Sequence, residues 1–189
     1  MREDVVASSF HYLLHPYPTF LVTCVGADGR PNIVTVAWLI PASSDPPLVA
    51  MSLRPIRYSY ALLGECREFV VNVPPYELAG VALHCGRRSG RSEDKFAATG
   101  LTPAPARRVR PPILEECLAH LECRVVNDVE AGDHHVLIGE VLEAYARPGF
   151  LDHDGFRDVG AADPLFHVGR NRFAGLEGRR VEPSLSGKG

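Results

Sequence analysis

Apolar residues alternate with turn signals along the first part of the chain, a pattern typical of antiparallel strands. Two runs rich in β-branched and aromatic residues, at residues 19–25 and 32–40, flank an Asp-Gly pair. Asp-Gly between two such runs predicts a tight turn, and therefore a β-hairpin. Further strands are predicted at residues 47–53 and at residues 68–73, where a pair of prolines ends the second run.

Segments with helical spacing are short and lie between the predicted strands. They occupy residues 58–63, which end at Gly64, then residues 76–84 and residues 93–98. Residues 102–112 are rich in proline and arginine, so they predict an extended connector rather than a helix. The helices are therefore expected to be additions to a framework made of strands.

The longest strands are predicted in the second half of the chain. They occupy residues 118–126 and 135–144, with a turn at residues 127–132 and a last short strand at residues 164–168. Antiparallel strands of this length need closure or covering to protect their edges. The sequence therefore predicts a mainly β protein, a small closed or nearly closed β-barrel with short helices.

Composition fits one folded unit. The chain has 189 residues, of which 46% are hydrophobic, and this is enough to bury a substantial core. We predict a single domain over residues 1–175, followed by a polar, disordered tail over residues 176–189. Five dispersed cysteines without a Cys-x-x-Cys pair predict buried free thiols.

Charge and targeting signals narrow the class of protein. The 23 acidic and 20 basic residues give a net charge of -3, and this balance disfavours a nucleic-acid partner. No apolar run reaches the roughly 20 residues that a membrane-spanning helix needs. The N-terminal Met-Arg-Glu-Asp also lacks a signal-peptide pattern. We therefore expect a cytoplasmic protein that makes no membrane contact.

The passage at residues 52–60 combines arginines and hydroxyls before a predicted helix. Arg54 and Arg57 offer planar forks of donors that match phosphate oxygens, and Ser52 and Ser59 add hydroxyls. A helix that begins near Tyr58 would add unpaired N–H groups and a favourable dipole. The alternative is an Arg-Pro turn with solvated arginines, in which Ser59 caps the helix.

A second loop of similar chemistry follows at residues 89–96. Ser89 and Gly90 are small enough for close backbone approach, and Arg91 and Lys95 supply positive charge just before a short helix. Alternatively, this is an ordinary surface loop in which Ser92 caps the helix. Two such loops in one small domain favour an anionic ligand.

Other candidate residues give weaker signals. Trp38 lies in an apolar strand and is typical of a core position, although the small Ala37 beside it would let a flat ring approach the backbone. His134 and His135 could bind a metal or cap a turn, but adjacent strand residues point to opposite faces, so they are poorly placed to chelate one ion. The chain has no Gly-x-Gly-x-x-Gly motif, which excludes a Rossmann-type nicotinamide site on present grounds.

Taken in order, these segments resemble the flavin reductase family, and especially its flavoredoxin-like branch. The resemblance is carried by His-Pro-Tyr-Pro at residues 15–18, Asn-Ile-Val-Thr-Val-Ala-Trp at 32–38, Ser-Leu-Arg-Pro-Ile-Arg-Tyr-Ser-Tyr-Ala at 52–61, Phe-Val-Val-Asn-Val-Pro at 69–74, Ser-Gly-Arg-Ser-Glu-Asp-Lys-Phe at 89–96 and Gly-Asp-His-His-Val-Leu-Ile-Gly-Glu-Val at 132–141. It implies an FMN-binding split barrel that assembles as a homodimer with the flavin near the subunit interface.

The resemblance also implies roles for individual residues. The isoalloxazine would be lined by Thr35, Val36, Ala37 and Trp38. The ribityl chain and phosphate would be held by Ser52, Arg54, Arg57 and Ser59, and the phosphate end would be closed by Ser89, Gly90, Arg91 and Lys95. His134 would lie towards the nicotinamide side and serve as the candidate catalytic residue. Two positions differ from the usual family pattern: Ser59 replaces a threonine, and His167 replaces a tyrosine.

The activity implied is hydride transfer from NADH or NADPH to N5 of the flavin. Three functions remain open at this point. The first is an NAD(P)H-dependent flavin reductase, which would use FMN as a bound cofactor or as an exchanging substrate and pass electrons to an oxygenase or another acceptor. The second is a flavoredoxin-like electron carrier that holds FMN without efficient nicotinamide turnover, and the third is a non-redox ligand-binding barrel.

Overall fold

A computed structural model of the protein describes residues 6–152, 155 and 163–176. Its strands are β1 Tyr17–Pro18, β2 Phe20–Val25, β3 Pro31–Val36, β4 Leu39–Ser44, β5 Pro47–Leu53, β6 Glu68–Val73, β7 Pro103–Ala104, β8 Ile113–Leu114, β9 Ala119–Ala131, β10 His134–Ala146, β11 Phe166–Gly169 and β12 Arg172–Ala174. Its α-helices are α1 Tyr58–Cys66, α2 Ala79–Arg87 and α3 Lys95–Thr99, and 3₁₀ helices occupy Ala7–Leu14 and Tyr76–Leu78.

Seven antiparallel strands form one sheet in the order β3-β2-β6-β9-β10-β5-β4. Its two edge strands, β3 and β4, are consecutive in the chain and are separated only by Ala37 and Trp38. That link spans at most about 11 Å, whereas the edges of a flat seven-stranded sheet would lie about 29 Å apart. The sheet must therefore curl until its edges approach each other, which gives the predicted barrel. The Ser52 N–H donates to the Trp38 carbonyl (2.8 Å) near this seam.

The prediction of one continuous strand over residues 32–40 is thus wrong, because the segment is divided between β3 and β4. The chain leaves one edge of the sheet after Val36 and joins the opposite edge at Leu39. The hydrophobic run continues through the break because both edge strands face the same interior. A continuous apolar pattern reports burial, and burial does not stop where the chain changes its strand partner.

Alternate side chains of the barrel strands pack into two separate clusters. Val22 and Val34 face the barrel interior, where Phe69 is among the fully buried side chains. Leu21 and Ile33, one position earlier on the same strands, face an outer cluster that includes residues of α2. The period of two in the strands therefore buries both faces of β2 and β3.

Most predicted elements are confirmed, and some bounds differ. The strands predicted at residues 47–53 and 68–73 have the observed bounds, and α1 begins at Tyr58 but continues past Gly64 to Cys66. β9 and β10 extend further towards each other than predicted, so their turn shortens to Gly132 and Asp133. The added part of β9 is exposed, so no hydrophobic pattern marks it.

Three further expectations have different outcomes. All five cysteines are free and buried, as predicted. No helix that the structure describes is long and apolar enough to cross a membrane. The predicted disordered tail lies outside the described residues from position 177 onward.

A buried histidine gives a pH-dependent prediction for stability. The ring of His120 lies 2.9 Å from Asn72 Oδ1 through its Nδ1, and burial lowers the pKa of His120 to about 4. The unfolded chain therefore binds a proton between about pH 6.5 and pH 4 that the folded chain does not bind. We expect the free energy of unfolding to decrease as pH falls through this window.

Urea unfolding at several pH values tests this expectation, with His120→Gln as the matched control because glutamine keeps a donor but does not titrate. The variant should show a shallower dependence of stability on pH between 4 and 6.5. Equal slopes in the two proteins would show that His120 does not set this dependence.

Candidate functional site

Two adjoining cavities lie where β3, the loop after β5 and the C-terminal end of α2 meet. We call the larger one, of about 330 Å³, the groove. The smaller one, of about 150 Å³, is called the loop pocket because residues from the loop after α2 contribute to its wall. Both cavities are lined by Val34, Arg57, Gly86 and Arg87, so they form one continuous site.

An unsatisfied polar atom marks the loop pocket. Asn32 Nδ2 donates to Ser59 Oγ (2.8 Å), but Asn32 Oδ1 is buried without a hydrogen-bond partner among the described residues. A Cβ on Gly90 would lie 2.1 Å from this oxygen, so only glycine fits there without displacement. Buried acceptors are normally satisfied, and Asn32 lines the pocket. This oxygen is therefore suited to accept a hydrogen bond from a hydroxyl or N–H group of a ligand.

Lys95 is buried at the base of the same pocket. Its ammonium donates to the carbonyls of Ile33 and Cys85, each at 2.7 Å, and burial lowers the pKa of Lys95. Ile33 lies on an edge strand, and Cys85 lies in the last turn of α2, where carbonyls lack partners within the helix. Two of the three ammonium donors are thus used by the backbone, and the third remains for a ligand.

Arg57 stands at the junction of the two cavities. It is the N-cap residue of α1, whose first N–H groups are not capped by a side chain. Its guanidinium is exposed and makes no hydrogen bond or ion pair with any residue that the structure describes. An unpaired cation beside free helix N–H groups is an arrangement that binds an anion.

Trp38 and His134 form an aromatic pair in the wall of the groove. The rings of Trp38 and His134 lie with centroids 5.0 Å apart. His134 Nδ1 lies 2.7 Å from Asp133 Oδ1, and this hydrogen bond lowers the pKa of the Asp133 carboxyl. Because Nδ1 is engaged as a donor, the Nε2 atom of a neutral His134 is an acceptor. Arg54 Nε lies 3.6 Å from the other oxygen of Asp133.

Twelve of the thirteen residues predicted for the site line one of these two cavities. The groove is lined by Thr35, Val36, Ala37, Trp38, Ser52, Arg54, Arg57 and His134, and the loop pocket by Ser59, Ser89, Gly90, Lys95 and again Arg57.

Arg91 is the exception among the thirteen, and its contact with the cofactor stays a prediction. Its guanidinium lies over the ring of Tyr58, 5.3 Å from the ring centroid, and it lines neither cavity. The cation–π contact holds it against the ring of Tyr58. The helix caps offered as alternatives for the two loops are not formed, because Ser59 lies inside α1 and its Oγ accepts from Asn32, and Asp94 rather than Ser92 caps α3.

Several lining residues were missed by sequence reasoning. Asn32 lay inside a motif already noted, and Arg87 and Arg88 directly precede the loop predicted at residues 89–96. Others come from the two ends of the described chain, which have no local signal in common. They are His11 and Tyr12 from the first 3₁₀ helix, and Arg170 from the hairpin of β11 and β12, and they lie beside His15 and His167, which the sequence had marked only through the family resemblance.

The chemistry of the site favours an anionic, partly aromatic ligand. The two linings contain five arginines, four histidines and Lys95, and no aspartate or glutamate among the described residues. The loop pocket holds Lys95 and the unsatisfied Asn32 Oδ1, and the groove adds the face of Trp38 and the small Ala37. A ligand with a phosphate at one end and a flat ring at the other would match both parts.

A match to known families decides how this site is read. Residues 12–174 match the family described as flavin reductase like domain. The chain belongs to the flavin reductase-like family. The chain is 35% identical over 130 residues to the reductase component of 4-nitrophenol 4-monooxygenase/4-nitrocatechol 2-monooxygenase from Rhodococcus opacus. The aligned region covers 68% of this chain and 66% of that protein.

Solved structures of related proteins agree with the family. The flavoredoxin of Desulfovibrio vulgaris (Miyazaki F) superposes on this flavin reductase-like protein with a TM-score of 0.87 and 32% identity, covering 98% of each chain. An FMN-binding protein from Thermus thermophilus, solved with 1-cyclohex-2-enone, gives a TM-score of 0.83 and 26% identity over 97% of this chain and 98% of that one. The protein is therefore a split-barrel member of the family, and a flavin is the cofactor class that its relatives support.

Proposed function

We propose that this protein binds FMN, with the phosphate in the loop pocket and the isoalloxazine in the groove, and that it acts as an NAD(P)H-dependent flavin reductase. The observation that carries the proposal is the position of Arg57, an unpaired guanidinium at the N-terminus of α1 that lines both cavities. A single ligand that reaches from one cavity to the other must pass this cation.

The groups of the loop pocket fit a sugar phosphate. Arg57, Ser59 and the third donor of Lys95 supply a charge and hydroxyl set for phosphate oxygens. The unsatisfied Asn32 Oδ1 is an acceptor, which a phosphate cannot satisfy but a hydroxyl can. We therefore assign it to a ribityl hydroxyl, and this pairing favours FMN over an anion without hydroxyls.

In the groove, the chain's own residues position the reacting groups. Bound FMN would supply the two-electron chemistry, with the nicotinamide as donor. The rings of Trp38 and His134 contact each other at a tilt of 34° in the wall of the groove, and Asp133 fixes the orientation of His134 through Nδ1. His134 would then present Nε2 for placing the nicotinamide.

We also propose that the protein is a homodimer. An apolar cavity of about 530 Å³ lies beside the groove and shares the side chains of Ala37, Trp38 and Ser52 with it. At its rim Phe10, Leu14 and Ile40 are exposed by 57%, 61% and 63%, which is costly in water. A second copy that covers this rim would shield these side chains and complete one wall of the flavin site.

A second function is supported by a specific similarity. The flavoredoxin match covers nearly the whole chain, so an electron carrier that holds FMN without efficient nicotinamide turnover is the competing candidate. The Rhodococcus relative is named as a monooxygenase reductase component, and this supports an oxygenase as the acceptor for the reductase.

Absorbance spectroscopy separates these functions. The purified protein is loaded with FMN, excess flavin is removed, and NADH and then NADPH are added without oxygen. Retained flavin that bleaches rapidly with either nucleotide supports the reductase. Retained flavin that bleaches only with dithionite supports the electron carrier, and a protein that never takes up FMN contradicts both.

A further inference from the structure

The site carries more positive charge than one phosphate monoester needs. Arg57 and Lys95 already serve the loop pocket, where Arg88 also lines the wall. Arg87, which lines both cavities, and Arg170, which lines the groove, add further positive charge. No described acidic side chain lines the groove to balance them. Uncompensated cations that lie close together repel each other, so their clustering indicates a second anionic ligand.

The additional arginines lie along a continuous path that leads out of the groove. A cavity of about 220 Å³ is lined by Arg57, Arg87, His167 and Arg170 among others. Further out lies a cavity of about 260 Å³, which is lined by Tyr12, Arg170 and Arg172 and by Val168 and Gly169 of the β11–β12 hairpin. Arg170 lines the groove and both of these cavities. We call Arg87, Arg170 and Arg172 the arginine edge.

Two contacts hold the arginine edge in place. Arg87 Nη2 donates to Asn171 Oδ1, which ties the end of α2 to the turn between β11 and β12. His167 Nε2 lies 3.0 Å from the Arg170 carbonyl, and Arg170 itself has φ 54°. A non-glycine residue in the left-handed region is uncommon and costs free energy. The hairpin thus holds the backbone of Arg170 in an unfavourable conformation at the mouth of the groove.

The Arg170 side chain is also free to bind. Its guanidinium makes no hydrogen bond or ion pair with any residue in the described parts of the chain, and the residue is exposed. The same is true of Arg172. Two unpaired guanidinium forks on one short hairpin match adjacent phosphates, because each fork can donate two parallel hydrogen bonds.

We propose that the arginine edge binds the pyrophosphate of a nicotinamide dinucleotide whose nicotinamide lies in the groove. The inference rests on the proposed reductase function and identifies how the donor is held. A dinucleotide places its pyrophosphate one ribose away from the nicotinamide, and Arg170 borders both the groove and the next cavity outward. Tyr12, which is stacked on His15 with ring centroids 5.6 Å apart, offers an aromatic face in the outer cavity for the adenine.

ADP-ribose tests the site without hydride transfer, because it carries the pyrophosphate and adenosine but no nicotinamide. Its binding to the FMN-loaded protein is measured by titration calorimetry for wild type, Arg170→Gln, Arg170→Lys and the control Arg124→Gln. Arg124 is an exposed residue of β9 that lines none of these cavities. We expect Arg170→Gln to weaken ADP-ribose binding about tenfold to a hundredfold, the worth of lost charge-assisted hydrogen bonds.

Arg170→Lys should recover part of the loss, since it keeps the charge but not the fork, and Arg124→Gln should bind like wild type. The affinity for FMN should be the same in wild type and Arg124→Gln, and every protein is saturated with FMN before ADP-ribose is added. Failure of ADP-ribose to bind wild type, or equal binding by Arg170→Gln, would overturn the proposal. Binding of benzoate but not of ADP-ribose, with dependence on Arg170, would also overturn it and assign the edge to a carboxylate.

The outcome for the donor site is separable from the outcome for the reductase. Arg170-dependent binding of ADP-ribose without flavin reduction by NADH or NADPH would support the nucleotide site and reject the reductase. Rapid reduction with an Arg170→Gln variant that has an unchanged KM for NADH and NADPH would support the reductase and reject the arginine edge as the donor site.

Discussion

Replacement of Arg57 with alanine is expected to weaken FMN binding by about 1.5–3 kcal/mol, which is roughly 10- to 150-fold. Riboflavin binding should be spared, because riboflavin lacks the phosphate that Arg57 is proposed to hold. The guanidinium is exposed and has no described partner, so its removal should not alter the fold. Each flavin is titrated with the protein, and the quenching of flavin fluorescence on binding measures its affinity.

Arg57→Lys is the matched variant for this experiment. It keeps the charge at the N-terminus of α1 but loses the planar fork, so its FMN affinity should fall between those of wild type and Arg57→Ala. Equal losses of FMN and riboflavin affinity would instead show that Arg57 shapes the site. In that case the solvated-arginine alternative for residues 52–60 would be restored.

Replacement of Lys95 with methionine should lower the free energy of unfolding by about 2–6 kcal/mol, even without a ligand. Methionine fills a similar volume, but it leaves the buried carbonyls of Ile33 and Cys85 without donors, at about 1–3 kcal/mol each. These two bonds join edge strand β3 to the end of α2. Chemical denaturation of the apoprotein measures the loss.

Arg57→Ala serves as the reference for this measurement. Both residues were predicted to contact the phosphate, yet the structure gives them different surroundings: Lys95 is 4% exposed and bonded to backbone, whereas Arg57 is exposed. Apo Arg57→Ala should therefore be as stable as wild type while Lys95→Met is not. An apo Lys95→Met protein with wild-type stability would contradict the structural role and leave Lys95 as a ligand group alone.

The local sequence determined the strands that keep the same neighbouring strands. Residues 47–53 and 68–73 were predicted with their observed bounds, because turn residues and prolines end each run. The residues of the candidate anion site at positions 52–60 were likewise recognisable, since the arginines, hydroxyls and helix start lie within nine consecutive residues, and the structure places them along the two cavities. Such features depend only on near neighbours in the chain, so the sequence displays them directly.

Long-range contacts decided the rest of the site. The division of residues 32–40 between opposite sheet edges depends on how the sheet curls, and β1 brings Tyr17 opposite His167 across a separation that no periodicity reports. This pairing places His15 Nε2 3.3 Å from His167 Nδ1 and sets Arg170 beside the groove. Hydrophobic patterns record whether a residue is buried, but not which distant segment buries it, so the histidines and the arginine edge are determined only by the tertiary structure.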